Sequence, residues 1–204
     1  MILYLHGFRS SPHSFKARHM AERLQALGRA DEYYCPQLPA SPAEAIRLAL
    51  AHADQFSPEQ LTVIGSSLGG FYATWLAERV GCRAVLLNPA VKPPRDLESY
   101  VGVTTHYHSD EPFEFKHAYI DELRALAVVK ITRPERYFLI AATGDEVLDW
   151  REMVAHYPGA RQTVIQGSDH GIAEFADHAD SVLRFCGVEP DALNALQDGG
   201  EALS

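Results

Sequence analysis

The sequence predicts a three-layer α/β fold, with a mostly parallel sheet of six strands between two layers of helices. Two observations predict it. Six short apolar runs alternate along the chain with longer stretches of helical periodicity, which is typical of βαβ units. Most of these runs are apolar throughout rather than at every second residue, and this is typical of parallel strands buried on both faces.

The elements follow one another in a regular order. Strands are predicted over residues 2–5, 33–37, 61–65, 84–87, 136–142 and 161–166, and helices over residues 14–27, 42–56, 67–80, 146–155 and 172–186. Gly28 and Gly81 stand where helices are expected to end, because glycine adopts the left-handed C-cap conformation readily. Ser41 and Pro42 form an N-cap followed by proline at the first helical position.

One long segment interrupts the alternation. Residues 91–132, which contain Pro93, Pro94 and Pro112, separate the fourth predicted strand from the fifth, and only about 115–129 reads as helical. An insertion of this length in a compact domain is usually functional or mobile. We predict one domain over residues 1–187 with a lid or cap-like insertion at about 91–132, followed by a polar, flexible tail at 188–204.

Composition excludes several classes of protein. The 204-residue chain carries a net charge of −9 without a basic run, so it is expected to repel nucleic acid. Cys35, Cys82 and Cys186 lie far apart, which favours reduced thiols over a disulfide framework. Neither a secretory signal nor an apolar run of membrane-spanning length is present, so the sequence predicts a cytoplasmic protein without a membrane span.

The strongest motif is G-x-S-x-G at residues 65–69. It follows an apolar strand and opens a helix, the context in which a nucleophile sits on a tight strand–turn–helix elbow. The motif makes Ser67 the predicted nucleophile and places the backbone N–H of Leu68 at a helix N-terminus, where it can donate to an oxyanion. Ser66 does not fit the spacing. The alternative is a glycine-rich βα turn without chemistry. With this elbow the predicted α/β fold becomes an α/β-hydrolase fold.

The loop after the first strand supplies a second oxyanion donor in such folds. Here that loop contains His6, Gly7 and Phe8, and we assign the donor to the backbone N–H of Phe8. The side chain of His6 is expected to brace the loop rather than to transfer a proton.

A carboxylate and a histidine follow the last two predicted strands. Asp145 is the predicted triad acid, with Glu146 and Asp149 as alternatives, and an Asx turn or helix N-cap is the structural reading of Asp145. His170 is the predicted general base, because it completes the order Ser…Asp…His after the final strand.

These residues predict a serine hydrolase that forms an acyl-enzyme and needs neither a metal nor an organic cofactor. The expected substrate is a small acyl ester or thioester, and the oligomeric state is left open between a monomer and a homodimer. The alternatives are a non-catalytic binding protein with this fold and a hydrolase of amides or C–C bonds.

Two features of the insertion remain ambiguous in the sequence. His106, His108 and Asp110 could bind a metal if that segment is extended, although plain loop residues are more common. Its aromatic residues either line an acyl pocket or pack the insertion onto the body; they are Tyr100, Tyr107, Phe113, Phe115 and Tyr119. We predict a preference for small or medium acyl chains.

The sequence resembles the YqiA-type family of small bacterial esterases from its start to about Phe185. The resemblance rests on YLHGFRSSP at 4–12, IGSSLGGFYA at 64–73, LNPA at 87–90, GDEVLD at 144–149 and GSDH at 167–170. It implies an α/β-hydrolase fold that lacks the first two strands of larger relatives. It also implies activity on short-chain acyl esters, with acyl-CoA thioesters as a second candidate class.

Overall fold

A computed structural model describes residues 1–105 and 112–190 of the chain. Within these residues the strands are β1 Ile2–Leu5, β2 Tyr33–Tyr34, β3 Thr62–Ser66, β4 Arg83–Leu87, β5 Gly102–Thr105, β6 Pro112–Phe115, β7 Tyr137–Ala142 and β8 Arg161–Ile165. The helices are α1 Phe15–Ala26, α2 Pro42–Ala53, α3 Leu68–Val80, α4 Pro93–Leu97, α5 His117–Ala125, α6 Trp150–His156 and α7 Phe175–Phe185.

Six strands form one sheet in the order β2-β1-β3-β4-β7-β8, and every neighbouring pair is parallel. The predicted fold class is therefore confirmed. The chain runs from β1 to β2 at one edge of the sheet and then returns to β3 on the other side of β1. It therefore leaves β1 and β3 toward opposite edges of the sheet. Loops after the carboxyl ends of these strands define a crevice, which is where open α/β sheets bind ligands.

The sheet separates two apolar cores. On one face Tyr4, Ile64 and Phe138 pack with residues of α1 and α7, and on the other face Leu5 and Leu139 pack with residues of α2, α3 and α6. Because neighbouring residues of a strand point to opposite faces, strands that are apolar throughout supply both cores. This explains the continuous apolar runs of the sequence.

Several elements are shorter than predicted, and local bonding explains why. Strand β2 ends at Tyr34 because Pro36 and Pro39 follow and cannot donate to a ladder. Helix α7 begins at Phe175 rather than at residue 172, because Ile172 has a φ of 54°, outside the helical region.

The described part of the insertion contains more regular structure than its proline content indicates. Helix α4, the antiparallel hairpin β5–β6 and helix α5 fall within it. The Glu122 carboxylate of α5 accepts hydrogen bonds from the Ser41 hydroxyl at 2.7 Å and the Ala43 amide at 2.9 Å. Arg95 of α4 binds Glu152 of α6. The insertion is thus attached to two helices of the body.

Three further sequence predictions concern the polar tail, membrane-spanning helices and the cysteines. Most of the polar tail at 188–204 lies outside the described residues. None of the described helices has the length and apolar character that crossing a membrane requires. Cys35, Cys82 and Cys186 are free thiols, and burial raises the pKa of Cys82 to about 11.

Candidate active site

The turn between β3 and α3 places Ser67 in a strained conformation. Ser67 has a φ of 54° and a ψ of −121° and forms the N-cap of α3. The flanking glycines leave no room for a side chain: a Cβ on Gly65 would come within 2.2 Å of the Gly69 carbonyl oxygen, and one on Gly69 within 1.9 Å of the Leu5 oxygen. The spacing G-x-S-x-G is therefore a steric requirement of this turn.

A chain of hydrogen bonds begins at Ser67. Its Oγ lies 3.0 Å from Nε2 of His170, and Nδ1 of the same imidazole lies 2.8 Å from Oδ2 of Asp145. Since the carboxylate can only accept, Nδ1 carries the proton and Nε2 of the neutral ring accepts from the serine hydroxyl. In this tautomer His170 is able to take a proton from Ser67.

Asp145 makes the bonds expected both of a triad acid and of an Asx turn, the two interpretations that its sequence context allowed. Its Oδ1 accepts from the amides of Val147 and Leu148, both at 2.8 Å, so it forms an Asx-type turn. Its Oδ2 faces His170, and the side chain has 0% solvent exposure. The turn explains why α6 begins at Trp150 and not at residue 146.

The two alternative acids occupy other positions. Asp149 is the N-cap of α6 and accepts from the Arg151 amide at 2.9 Å. Glu146 accepts from the backbone amide of His170 at 3.0 Å, so it contacts the main chain of the histidine and not its ring. Of the three carboxylates, Asp145 is the one bonded to the imidazole.

The loop after β1 lies against the serine. A Cβ on Gly7 would be 3.2 Å from Cβ of Ser67. Phe8 and Leu68 line the same cavity as Ser67, and no acceptor among the described residues takes a hydrogen bond from either backbone amide. Both N–H groups are therefore available to a ligand at the serine.

His6 is bonded through both ring nitrogens. Its Nε2 accepts from the Leu38 amide at 3.0 Å, which leaves the proton on Nδ1, 3.0 Å from the Gly7 carbonyl oxygen. The side chain is 4% exposed. His6 thus joins the loop after β1 to the segment after β2.

A cavity of about 700 Å³ opens above the serine. Its walls come from the loops that follow β1, β3, β4, β7 and β8, and the insertion contributes Leu97 and Tyr100. Lys16, at the start of α1, is the lysine of this lining, and its Nζ donates to the Gly171 carbonyl at 2.5 Å. Burial lowers the pKa of Lys16 to about 8, against the opposing effects of Asp169 and Asp145.

Most of the insertion's aromatic rings pack onto the body. Phe113 and Phe115 are buried and meet the ring of Phe8 edge-on, with centroids 5.3 and 5.1 Å away. Tyr119 contacts Phe115. Tyr100 lines the cavity and also contacts Phe8. The fifth residue, Tyr107, lies outside the described residues.

Backbone strain is concentrated around the cavity. Among the described residues, five that are not glycine have a positive φ: Arg9, Ser67, Asn88, Ser168 and Ile172. All five lie in loops after β1, β3, β4 and β8, at the carboxyl end of the sheet. Strain that clusters in this way is typical of functional sites.

No group of three histidine, cysteine or acidic side chains gathers as a metal site in residues 1–105 and 112–190. His106, His108 and Asp110, the metal ligands considered in the sequence, lie outside this part of the chain.

The sequence analysis assigns no role to two residues near the site. Lys16 belongs to no motif. Asn88 belongs to the LNPA segment on which the family resemblance partly rests, and this segment is the sequence signal that could have indicated it. Asn88 is fully buried behind His170.

The sheet order, the elbow after β3, the carboxylate after β7 and the histidine after β8 define an α/β-hydrolase fold. The chain belongs to the family described as "Uncharacterised protein family (UPF0227)", whose model matches residues 1–187. This confirms the resemblance to YqiA-type proteins.

Solved structures share the fold at low sequence identity. A protein from Agrobacterium vitis S4 aligns with a TM-score of 0.72 and 22% identity over 91% of this chain and 87% of that one. Est1E from Butyrivibrio proteoclasticus, solved with ferulic acid bound, has a TM-score of 0.67 and 17% identity over 99% and 89%. Mouse alpha/beta hydrolase domain-containing protein 10 aligns with a TM-score of 0.66 and 17% identity over 97% of this chain and 89% of that one.

Proposed function

We propose that this protein is a serine hydrolase that cleaves carboxylic esters, or acyl thioesters, through an acyl-enzyme on Ser67. The observation that carries the proposal is the bond chain from Ser67 Oγ to Nε2 of His170 at 3.0 Å and from Nδ1 of His170 to Asp145 at 2.8 Å. A hydroxyl, a neutral imidazole and a buried carboxylate in this order form the catalytic arrangement of serine hydrolases.

In the first half of the reaction His170 removes the Ser67 proton while Oγ attacks the acyl carbonyl carbon. The negative oxygen of the tetrahedral intermediate is held by the backbone N–H groups of Phe8 and Leu68. When the intermediate collapses, the bond between the carbonyl carbon and the leaving group breaks. The imidazolium then gives its proton to the leaving alcohol or thiol.

In the second half water takes the place of the serine. His170 accepts a proton from a water molecule, which attacks the acyl carbonyl, and the collapse returns the proton to Ser67 and releases a carboxylic acid. Asp145 keeps the imidazole in the required tautomer and stabilises its charged form. The sequence of steps uses water as its second substrate and calls for no metal or organic cofactor.

The cavity supports a small-molecule substrate, since about 700 Å³ is within the usual range for such sites. The insertion, through Leu97 and Tyr100, acts as a cap on one side of it. Est1E supports the reaction class, because the ferulic acid bound to that protein is a carboxylic acid, the kind of product that this reaction releases. The three free thiols fit a protein of the reducing cytoplasm.

Activity-based labelling tests the proposal. The wild-type protein is treated with a fluorophosphonate, the adduct is mapped by mass spectrometry, and turnover of p-nitrophenyl butyrate is measured. We expect one adduct, on Ser67, and loss of both labelling and turnover in Ser67→Ala, with the circular dichroism spectrum and melting temperature retained.

Ser181→Ala is the matched control, because Ser181 lies on α7 and its hydroxyl donates to the His178 carbonyl, away from the cavity. It should label and turn over as the wild type does. A wild-type protein that stays unlabelled while a known serine hydrolase reacts in parallel would favour the non-catalytic binding protein. Turnover retained by Ser67→Ala would remove Ser67 from the mechanism.

A further inference from the structure

The loop that carries His170 is irregular and needs support from outside. Ser168 and Ile172 have φ values of 61° and 54°, so two residues of this loop that are not glycine adopt the left-handed region. Such conformations persist only where the surrounding structure holds them. We call residues 167–172 the histidine loop.

A buried amide behind this loop makes three hydrogen bonds. Asn88, directly after β4, has 0% exposure. Its Nδ2 donates to the carbonyl oxygens of Asp169 at 3.0 Å and His170 at 3.1 Å, and its Oδ1 accepts from the Ala142 amide at 2.8 Å. The orientation of the amide is fixed chemically, because an N–H group must face the oxygen and two carbonyls must face the nitrogen.

The same short segment also holds the serine. The Ser67 amide donates to the Leu87 carbonyl at 3.0 Å, and the Ala90 amide donates to the Ser67 carbonyl at 3.0 Å. Ala142 is three residues before Asp145 in the chain. Residues 87–90 therefore join the backbones that carry the serine, the acid and the histidine, and the Asn88 side chain makes the connection to two of the three.

We propose that Asn88 is a positioning residue, which fixes the imidazole of His170 at hydrogen-bond distance from Ser67. The inference rests on the proposed function, and it assigns a role that no sequence motif for the reaction contains. Asn88 touches neither the serine hydroxyl nor the imidazole ring. It acts through the main chain of His170.

The other side-chain contacts to the histidine loop come from more accessible residues, and one main-chain bond, from the Gly144 amide to the Gly167 carbonyl at 2.8 Å, lies at its start. Glu146, which accepts from the His170 amide at 3.0 Å, is exposed, and Lys16, which donates to the Gly171 carbonyl at 2.5 Å, is partly exposed. Bonds of this kind compete with water and hold the backbone less firmly. Asn88 is the fully buried donor to the loop and makes two bonds to consecutive carbonyls.

Asparagine suits this position for two reasons. Its φ of 42° lies in the left-handed region, which asparagine, aspartate and glycine enter more readily than other residues. Of the three, asparagine alone can donate two bonds and accept one. An aspartate would keep the bond from Ala142 but would place a carboxylate against two carbonyl oxygens.

The test compares Asn88→Gly and Asn88→Asp with Thr74→Val. Glycine removes the three side-chain bonds and tolerates the local φ. Thr74 is buried, and its hydroxyl donates to the Gly70 carbonyl at 2.8 Å and lies 2.9 Å from the Tyr157 hydroxyl. Thr74→Val thus removes buried polar contacts without touching the histidine loop and controls for a general loss of stability.

We expect both Asn88 variants to lower kcat on p-nitrophenyl butyrate about 10- to 100-fold with KM changed less than about threefold, because a misplacement of about 1 Å costs roughly this much. Labelling of Ser67 by a fluorophosphonate should slow by a similar factor. Thr74→Val should lower the melting temperature but keep kcat and the labelling rate. Hydrogen exchange of the amides at 168–172 should speed up in Asn88→Gly and should stay unchanged in Thr74→Val.

A kcat for Asn88→Gly within about twofold of that for Thr74→Val would overturn the inference while leaving the proposed function in place. If Asn88→Gly does not fold, Asn88→Asp decides by the same criteria. A wild-type protein without turnover or labelling would instead contradict the proposed function. In that case the exchange measurement decides alone, and unchanged exchange at 168–172 would overturn the role of Asn88.

Discussion

Oδ2 of Asp145 lies 2.8 Å from Nδ1 of His170, and the carboxylate is shielded from solvent. The other carboxylate oxygen of Asp145 is held by two backbone amides, so the side chain cannot turn away from the ring. A fixed acceptor at Nδ1 leaves Nε2 without a proton and ready to accept one. This relationship leads to a prediction that separates Asp145 from Asp149 as the triad acid.

Asp145→Asn should lower kcat/KM for p-nitrophenyl butyrate by about 10³- to 10⁴-fold, because an amide can donate to Nδ1 and stabilise the wrong tautomer. Asp149→Asn is the matched control. It makes the same change four residues along the chain, where asparagine still serves as the N-cap of α6. Its activity should stay within about twofold of the wild type. The reverse order of losses would move the acid to Asp149.

Gly69→Ala should destabilise the fold severely. The added Cβ would lie 1.9 Å from the Leu5 oxygen and 2.7 Å from the His6 oxygen, and both are backbone atoms of the loop and strand that face the elbow. Neither can move without breaking the packing of α3 against β1. Urea denaturation should show a loss of about 3 kcal/mol or more in the free energy of unfolding, at the upper end of the range for overpacked sites.

Gly171→Ala is the comparison, since its Cβ would meet a side-chain atom, Oδ1 of Asp169, at 3.2 Å. That carboxylate can rotate, so the expected loss is below about 1 kcal/mol. Similar losses in the two variants would contradict the steric account of the elbow.

The parts of the site that the sequence predicted have local causes. Ser67 and Asp145 each follow an apolar strand, His170 follows the last strand of the sheet, and Gly65 avoids a clash with the Gly69 carbonyl within the same turn. The four inner strands of the parallel sheet could be predicted from a similar local cause, because burial on both faces leaves continuous apolar runs. The sequence left a choice among three acids, and in the structure Asp145 is the one that is bonded to the imidazole.

The remainder depends on contacts between distant residues. The two acceptors of Asn88 Nδ2 are 81 and 82 residues away, and they are backbone carbonyls, which carry no residue-type signal. Lys16 and Gly171 are separated by 155 residues. The hairpin β5–β6 is stabilised by the packing of Phe113 and Phe115 on Phe8, which no short-range pattern reveals.

Lys16→Met should stabilise the protein at neutral pH. Burial lowers the pKa of Lys16 to about 8 from 10.5, so the folded state holds the charged side chain less favourably than the unfolded state does. Below pH 8 the lysine is charged in both states and this cost is fully present. We expect Lys16→Met to raise the free energy of unfolding by roughly 2 kcal/mol at pH 7, since one pKa unit corresponds to about 1.4 kcal/mol and one hydrogen bond is lost.

The sign of the pH dependence follows from the same shift. Between pH 8 and 10.5 the unfolded chain binds more protons at Lys16 than the folded chain, so the wild type gains stability relative to Lys16→Met as the pH rises. The difference between the two proteins in urea denaturation should therefore shrink across this range. Taking the difference cancels the titration of buried tyrosines and cysteines. A difference that is constant from pH 7 to 10.5 would contradict the lowered pKa.

The acyl-chain preference should lie at small or medium length. The cavity of about 700 Å³ must hold both the acyl chain and the leaving group, and the aromatic rings of Phe113 and Phe115 pack against Phe8 instead of extending the cavity. Each methylene group of a longer chain that the cavity does not cover stays in water and forfeits about 0.8 kcal/mol of binding free energy. In a p-nitrophenyl ester series from acetate to palmitate, kcat/KM should be highest between acetate and octanoate and should fall for longer chains. A maximum at palmitate would contradict this preference.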